Sequence, residues 1–257
     1  MQVVILCGGR GTRLGRASEV RPKPMVKIGD RPILWHIMKS YAAAGHSEFV
    51  LCLGYLGEVI KDYFINYHAR QSDITVELGE QSKIEVLARH QEDWRVTLAD
   101  TGLDTNTGAR LKRVERYITE PLFMLTYGDG VANVDLAALE RFHREHGKIA
   151  TVTAVHPPAR FGEIEIDAGR VDSFSEKPQT SAGVINGGFF VFDRRVFDFI
   201  PDDENFSLER DLLERVTEAG ELMAYRHDGF WQCMDTVREL TILNDLWSGG
   251  DAPWRSW

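Results

Sequence analysis

Val3–Leu6 is an unbroken apolar run that ends in Gly8-Gly9-Arg10-Gly11, the pattern of a buried parallel strand feeding a glycine loop. Asp30, Pro32 and Gly45 bracket Ile33–Ala44 as N-cap, first turn and stop, which predicts a helix. Phe49–Leu53 reads as a second buried strand, and Leu56–Tyr67 as a second helix with Val59, Ile60, Tyr63 and Phe64 on one face. Short alternating segments follow (Ile74–Leu78, Lys83–Ala88, Val96–Leu98) and predict an antiparallel insertion, with Asp100–Arg110 as a loop. Pro121–Thr126 returns as an apolar strand that stops at Tyr127-Gly128-Asp129-Gly130. Asp135–His146 is predicted helical and Ala150–Val155 a strand. Beyond Phe161, Glu163, Glu165 and Asp167 alternate with Ile164 and Ile166, the mark of a half-exposed strand. Val171–Phe174 and Val184–Phe192 are further strands; Ser207–Glu218 and Thr236–Trp247 are helices. Strands and helices alternate at βαβ spacing, so the expected class is α/β. The expected sheet is doubly wound and mostly parallel, with a small antiparallel insertion and C-terminal mixed strands laid over its open face.

The 257 residues carry neither a low-complexity linker nor a repeat. They are read as one domain, with an insertion at about 68–115, a second half at about 150–235 and a C-terminal helix and tail at 236–257. A chain of this size buries enough surface to need no disulfide or structural metal. Cys7, Cys52 and Cys233 lie far apart without a CxxC and read as buried thiols of a reducing compartment. The opening apolar run is too short for a signal-peptide core, and no run nears the ~20 residues of a membrane span. The expectation is a soluble cytoplasmic protein with no membrane partner.

Charge changes the picture. With 39 acidic against 30 basic side chains the net charge is -9, which argues against a nucleic-acid polymer as partner. Residues 1–31 nevertheless hold seven basic side chains and only two acidic ones. A cationic pocket in an anionic body suits a small polyphosphate; a solvated basic loop is the alternative.

The glycine loop fits neither common nucleotide fingerprint. A dinucleotide motif counted from Gly9 and Gly11 needs a third glycine where Leu14 stands, and a P-loop counted from Gly8 needs one where Arg13 stands. What remains is Gly8-Gly9-Arg10-Gly11-Thr12-Arg13-Leu14, followed by Arg21-Pro22-Lys23-Pro24-Met25. Glycines let backbone N–H groups approach a base and its phosphates. Arg13 offers a planar fork, and Lys23 a compact charge on a proline-stiffened segment.

This pair of segments resembles the signature of the sugar-1-phosphate nucleotidyltransferases. Tyr127-Gly128-Asp129-Gly130, Arg160-Phe161-Gly162, Ser175-Glu176-Lys177-Pro178, Asn186-Gly187-Gly188-Phe189-Phe190 and Trp231-Gln232-Cys233-Met234-Asp235-Thr236 extend the resemblance along the whole chain. Pro32–Met38, Leu111–Val114 and the Ala252-Pro253-Trp254 tail are similar to its cytidylyl-transferring members. The resemblance implies a Rossmann-like nucleotidyltransferase fold. It also implies CTP and glucose 1-phosphate as substrates and CDP-glucose and pyrophosphate as products. A sugar-phosphate oxygen would attack the α-phosphorus in line. That nucleophile is already anionic, so positioning and electrostatics replace a general base.

Asp129 and Asp235 are the expected Mg2+ ligands, each where an apolar strand runs out, although a Gly-Asp-Gly turn and a helix N-cap are their ordinary alternatives. Arg13, Lys23 and Asp129 are the expected catalytic residues. Leu6, Gly8, Gly9, Arg10, Gly11, Thr12 and Arg13, with Thr105, Arg110 and Gly128, are expected on the nucleotide, Arg110 on either a phosphate or the cytosine carbonyl. Lys23, Gly162, Glu176, Lys177 and Asn186 are implied on the sugar phosphate; without the resemblance, Glu176-Lys177-Pro178 would read as a charged turn. Cys7 stands where the resembled family usually has alanine, a volume change beside the base.

His143 and His146, three apart on a helix, read as a solvated face rather than metal ligands. Trp94, Trp247, Trp254 and Trp257 crowd the insertion and tail and suggest a homo-oligomer interface. Two alternatives remain: the same transfer with UTP, dTTP or another phosphate, and a nucleotide-sensing subunit without turnover.

Overall fold

A computed structural model describes residues 1–11, 20–79, 83–87, 92–158, 163–167, 170–175 and 183–257. In chain order the elements are β1 (Gln2–Leu6), β2 (Lys27–Ile28), β3 (Arg31–Pro32), α1 (Ile33–Ala43), β4 (Glu48–Leu53), α2 (Gly57–Ile65), α3 (Tyr67–Gln71), β5 (Ile74–Glu77), β6 (Lys83–Val86), β7 (Arg95–Asp100) and α4 (Thr107–Val114). The second half adds β8 (Leu122–Tyr127), β9 (Gly130–Ala132), α5 (Leu136–His146), β10 (Ala150–Val155), β11 (Glu163–Asp167), β12 (Arg170–Ser175), β13 (Ile185–Asp193), α6 (Leu213–Glu218), β14 (Leu222–His227), β15 (Trp231–Cys233) and α7 (Val237–Ser248).

Seven strands form the central sheet in the order β14-β10-β13-β8-β1-β4-β7, all parallel except β13. β1 lies inside the sheet between β8 and β4 and is buried on both faces. Val3, Ile5 and Cys7 point into a core with α1 and α2, while Val4 and Leu6 point into a second core with α4 and residues 208–216. The apolar run without alternation is explained by that double burial. After β1 the chain builds outward through β4 to β7, then returns to pair β8 on the other flank. The crevice beyond Leu6 and Tyr127, which are register partners, is therefore the topological switch point.

Several expectations are corrected. Val96–Leu98 does not belong to an antiparallel insertion: β7 pairs in parallel with β4 and ends the central sheet, so of the three segments expected there β5 and β6 alone form the antiparallel hairpin. β10, β13 and β14 extend the sheet sideways instead of covering its open face. Asp30 is not an N-cap, because Gly29 at φ 63 turns a β2–β3 hairpin and Pro32 itself precedes the first helical residue. The second half of the expected Asp100–Arg110 loop is helix, started by Asn106, whose side chain accepts from the Thr107 N–H.

His143 is not solvated, whereas His146 is half-buried. His143 is buried, its Nδ1 lies 2.8 Å from Thr151 Oγ1, and burial pushes its pKa down to about 4. No tryptophan is exposed either. Trp254, Trp247, Trp257 and Trp35 gather around His36, whose Nε2 donates to Ile28 O at 3.0 Å while Nδ1 accepts from Trp254. These rings pack against the chain's own core, with Trp247 and Trp257 half-buried at its margin.

Candidate active site

The sequence brings three charged side chains to the switch point by three different local devices. Lys23 opens a buried 3₁₀ turn, Lys23–Met25, entered from Pro22 in extended conformation and closed by a Met25 N–H to Pro22 O bond of 2.8 Å. Pro22 and Pro24 fix this geometry, because each locks its own φ and constrains its predecessor. Asp129 follows β8, whose apolar run carries the chain to the sheet edge. Gly128 is required there: a Cβ would press on Leu6 O, Pro24 Cγ and Cys7 Sγ. Asp235 is 106 residues further on. It arrives because β15 pairs antiparallel with β9 and the Met234 N–H donates to Asp129 O at 2.8 Å.

Asp235 does not cap α7. Thr236 does, with its hydroxyl accepting from the Glu239 N–H and the Glu239 carboxylate accepting from the Thr236 N–H at 2.8 Å and the Asp235 N–H at 2.6 Å. That reciprocal cap leaves the Asp235 carboxylate to turn toward Lys23. Replacing Thr236 by alanine is expected to cost about 1 kcal/mol of stability, a fall of roughly 2–4 °C in thermal midpoint. An unchanged midpoint would show that the cap contributes nothing.

The ammonium of Lys23 donates to Asp129 Oδ2 at 2.6 Å and to Asp235 Oδ1 at 2.5 Å, with only 11% of its side chain exposed. Burial disfavours its charge, but the two carboxylates outweigh that and hold its pKa above the ordinary lysine value. The two acids thus face one small cation, and Lys23 and Asp129 line a cleft of about 310 Å³ with Leu6, Cys7, Gly8, Thr105, Arg110 and Tyr127 among others; Asp235 reaches that cleft through Lys23. Among the described residues no group of three or more histidine, cysteine or acidic side chains forms a metal cage. Two hard carboxylates at an open cleft do fit a divalent ion that draws its remaining ligands from phosphates and water.

Neither cysteine near the two acids is a ready nucleophile. Cys7 is buried in the cleft floor, and burial, then Cys52, pushes its thiol well above the usual range. Cys233 is likewise pushed up to about 12 by burial, with Glu239 and Asp235 adding to it. The arrangement suits electrostatic stabilisation of an anion rather than attack by a cysteine.

A family model described as nucleotidyl transferase matches residues 2–245. The chain belongs to the nucleotidyl transferase family. It is 50% identical over 258 residues to the glucose-1-phosphate cytidylyltransferase of Salmonella typhi, and 42% identical over 257 residues to the probable glucose-1-phosphate cytidylyltransferase of Bacillus subtilis, each covering 100% of both chains. Among solved structures, HddC from Yersinia pseudotuberculosis superposes with a TM-score of 0.68 at 23% identity, covering 96% of this chain and 99% of that one. A putative glucose-1-phosphate thymidylyltransferase from Bacillus anthracis gives 0.67 at 19% identity, covering 96% and 94%. The fold is therefore that of the nucleotidyl transferases, with the central mostly parallel sheet expected from the sequence.

Within this nucleotidyl transferase cleft the sequence-chosen residues divide. Leu6, Gly8, Gly9, Gly11, Lys23, Thr105, Arg110, Gly128 and Asp129 all line it. Arg10 reaches across its rim to Asp104 at 2.7 Å. Asn186 stands beside the cleft: its side-chain oxygen accepts from the Gly188 N–H and its amide donates to the Tyr127 hydroxyl. Thr12, Arg13, Gly162, Glu176 and Lys177 lie outside the described residues.

Arg110 departs from expectation. Nη1 donates to Leu53 O, Thr101 Oγ1 and Gly102 O at 3.1, 2.8 and 2.7 Å, and Nη2 to Gly8 O and Leu103 O at 3.2 and 3.1 Å. In this structure its fork is taken up by the chain's own acceptors, four carbonyls and the Thr101 hydroxyl, while its side chain also lines the cleft. Gly8 is glycine for the same reason: a Cβ there would stand inside the Arg110 guanidinium. Thr105 shares this structural duty, its hydroxyl accepting from Arg113 at 2.7 Å.

Sequence reasoning missed a second polar group. Tyr127 donates its hydroxyl to Glu209 Oε1 at 2.6 Å, while Thr107 and Ser207 donate to Glu209 Oε2 at 2.8 and 2.9 Å. Burial and the adjacent Glu209 carboxylate hold the Tyr127 phenol protonated, with its pKa raised. Glu209 sits in a π-helical turn, Leu208–Leu212, a local irregularity often found beside functional sites. The only sequence signal was the position of Tyr127 directly before Gly128-Asp129.

Proposed function

We propose that the chain joins CTP and glucose 1-phosphate to give CDP-glucose and pyrophosphate. The observation that carries the reading is the clustering of Lys23, Asp129 and Asp235 at the switch-point cleft in a chain 50% identical, end to end, to a glucose-1-phosphate cytidylyltransferase. In this reading the whole chain is one nucleotidyltransferase domain. The nucleotide lies over the Leu6–Gly11 strand end, with its triphosphate toward Lys23. The sugar phosphate enters from the side of Asn186, and Gly162, Glu176 and Lys177 are assigned to it by the resemblance alone. Its oxygen attacks the α-phosphorus, the α–β bridging P–O bond breaks, and pyrophosphate leaves on the opposite face, its charge met by Arg13 in this reading. No proton needs to move in that step. The chain's work is to hold two anions in line and offset the charge gathering on the leaving group. Asp129 and Asp235 would hold a magnesium ion, which supplies further charge neutralisation when bound.

Pyrophosphate release across pairs of nucleoside triphosphate and sugar 1-phosphate tests the assignment. CTP with glucose 1-phosphate should give the highest kcat/KM. A better rate with UTP, dTTP or another phosphate would reassign the substrates, and tight nucleotide binding without turnover by any pair would favour a sensor. Three unpaired thiols suit a reducing compartment, and we place the reaction in the cytoplasm. Among the described residues no helix is long and apolar enough to cross a membrane.

We also propose that the chain is a homo-oligomer, on grounds other than its tryptophans. Ile74, Val76, Leu78 and Ile84 share one face of the β5–β6 hairpin by strand alternation, and all are exposed, Leu78 by 88%. A two-stranded ribbon with a bare apolar face is marginal alone, and a second copy of the chain is its simplest cover. Light scattering should give a multiple of the 29.1 kDa chain mass, reduced by the Val76→Asp/Ile84→Asp double variant. A wild-type monomer would refute it.

A further inference from the structure

Lys23 stands where a divalent ion would have to go. Its Nζ lies within 2.6 Å of one acidic oxygen and 2.5 Å of the other. Those oxygens are consequently separated by no more than the sum of the two distances, about 5 Å. A magnesium ion bound to both would lie about 2.0–2.1 Å from each, so its centre would fall in the space between them. The ammonium already fills that space. Two cations so placed would repel strongly in a partly buried site, so metal and ammonium exclude one another.

The arrangement has two opposite effects. Without a cation between them, Asp129 and Asp235 would repel and turn apart; with Lys23 there, both stay aimed at one point. The same ammonium must be expelled before metal can use that point, and a buried ammonium without an anion is costly. Lys23 also lines the cleft in which a triphosphate would lie, so the phosphates of a bound nucleotide would give the displaced Nζ an anionic destination.

Building on the proposed metal role of the two acids, we propose that Lys23 is a resident counter-cation of the empty site. It keeps the carboxylate pair assembled and gives way to the metal only as the nucleotide's phosphates receive it. Metal alone is then a poor ligand, and metal and triphosphate enter together. Lys23 is in this respect a positioning residue as well as a phosphate contact.

Manganese binding, followed by electron paramagnetic resonance on the full chain without nucleotide, tests this directly. Lys23→Met and Lys23→Gln should each bind Mn2+ about tenfold or more tightly than wild type, within the range of ordinary coupling between sites. Thermal unfolding gives the second readout. Both variants should be less stable than wild type without metal and recover more on adding Mn2+. Equal or weaker Mn2+ binding in folded Lys23→Gln, or no extra recovery, overturns the proposal. Asp129→Asn separates it from the reading beneath: if that change leaves wild-type Mn2+ affinity intact, the metal assignment itself fails. If Asp129→Asn abolishes binding while the Lys23 variants do not tighten it, only the exchange role of Lys23 fails.

Discussion

Asp129→Asn is expected to lower the rate of pyrophosphate release at saturating CTP and glucose 1-phosphate by about 10²–10³-fold, some 3–4 kcal/mol of transition-state stabilisation. The substitution keeps the shape of the side chain and removes only its charge. Asp129 follows β8 directly, and its backbone carbonyl, which receives the Met234 N–H, is untouched. The fold should therefore survive, and the thermal midpoint should stay within a few degrees of wild type. Lys23 still retains Asp235 as a partner. Asp235→Asn should behave alike. Because both acids act on one cation, the double variant should be little worse than either single one, the non-additivity of groups that work as a unit. Full magnesium-dependent activity in Asp129→Asn would remove this residue from the catalytic machinery. Losses that multiplied in the double variant would show the two acids acting separately.

The pieces of that cluster could be read in the chain because each has a strong local cause. An apolar run that stops at Gly128-Asp129-Gly130 places an acid at a sheet edge, and Pro22-Lys23-Pro24 fixes a lysine on a stiff turn. Their meeting is tertiary. It depends on β9 and β15, two three-residue strands whose pairing no periodicity in so short a stretch could announce. The alternation of strand and helix likewise gave the parallel sheet, but its far edge was misread. Val96–Leu98 is too short to show whether it runs parallel or antiparallel to a neighbour, and only contact with β4 decides this.

The helix at Thr107–Val114 was hidden for a different reason. Gly108 opens it where a helix former would be expected, because the Phe206 ring and backbone pack against that position and a Cβ would collide with them. The tail tryptophans likewise have a long-range partner that composition could not announce. His36, far off in sequence, meets them edge-on or tilted, and a composition argument cannot see a partner within the same chain. Arg110 is the sharpest case. Its acceptors are mainly main-chain carbonyls from three separate segments, and carbonyls leave no trace in a sequence.

That difference gives Arg110→Ala a distinctive expected signature. The guanidinium ties the end of β1, the end of β4 and the 101–103 turn together beneath the cleft, with Gly8 and Gly54 both packed too closely on it to carry a Cβ. Removing it leaves five acceptors without their charged donor, each such bond being worth about 1.5–3 kcal/mol. Water entering from the cleft would replace part of that loss, so the net cost should be about 3–5 kcal/mol. For a chain of this length the thermal midpoint should fall by roughly 10 °C. Arg110→Lys should recover little, because three donors on a flexible stem cannot reproduce two forked nitrogens serving acceptors on opposite sides. A nucleotide contact would look different: KM for CTP would rise severalfold while the thermal midpoint stayed at the wild-type value. Thermal unfolding of the free protein, measured beside CTP kinetics below the variant's midpoint, separates the two roles. A fully stable Arg110→Ala protein with a selectively raised KM would return this arginine to the nucleotide.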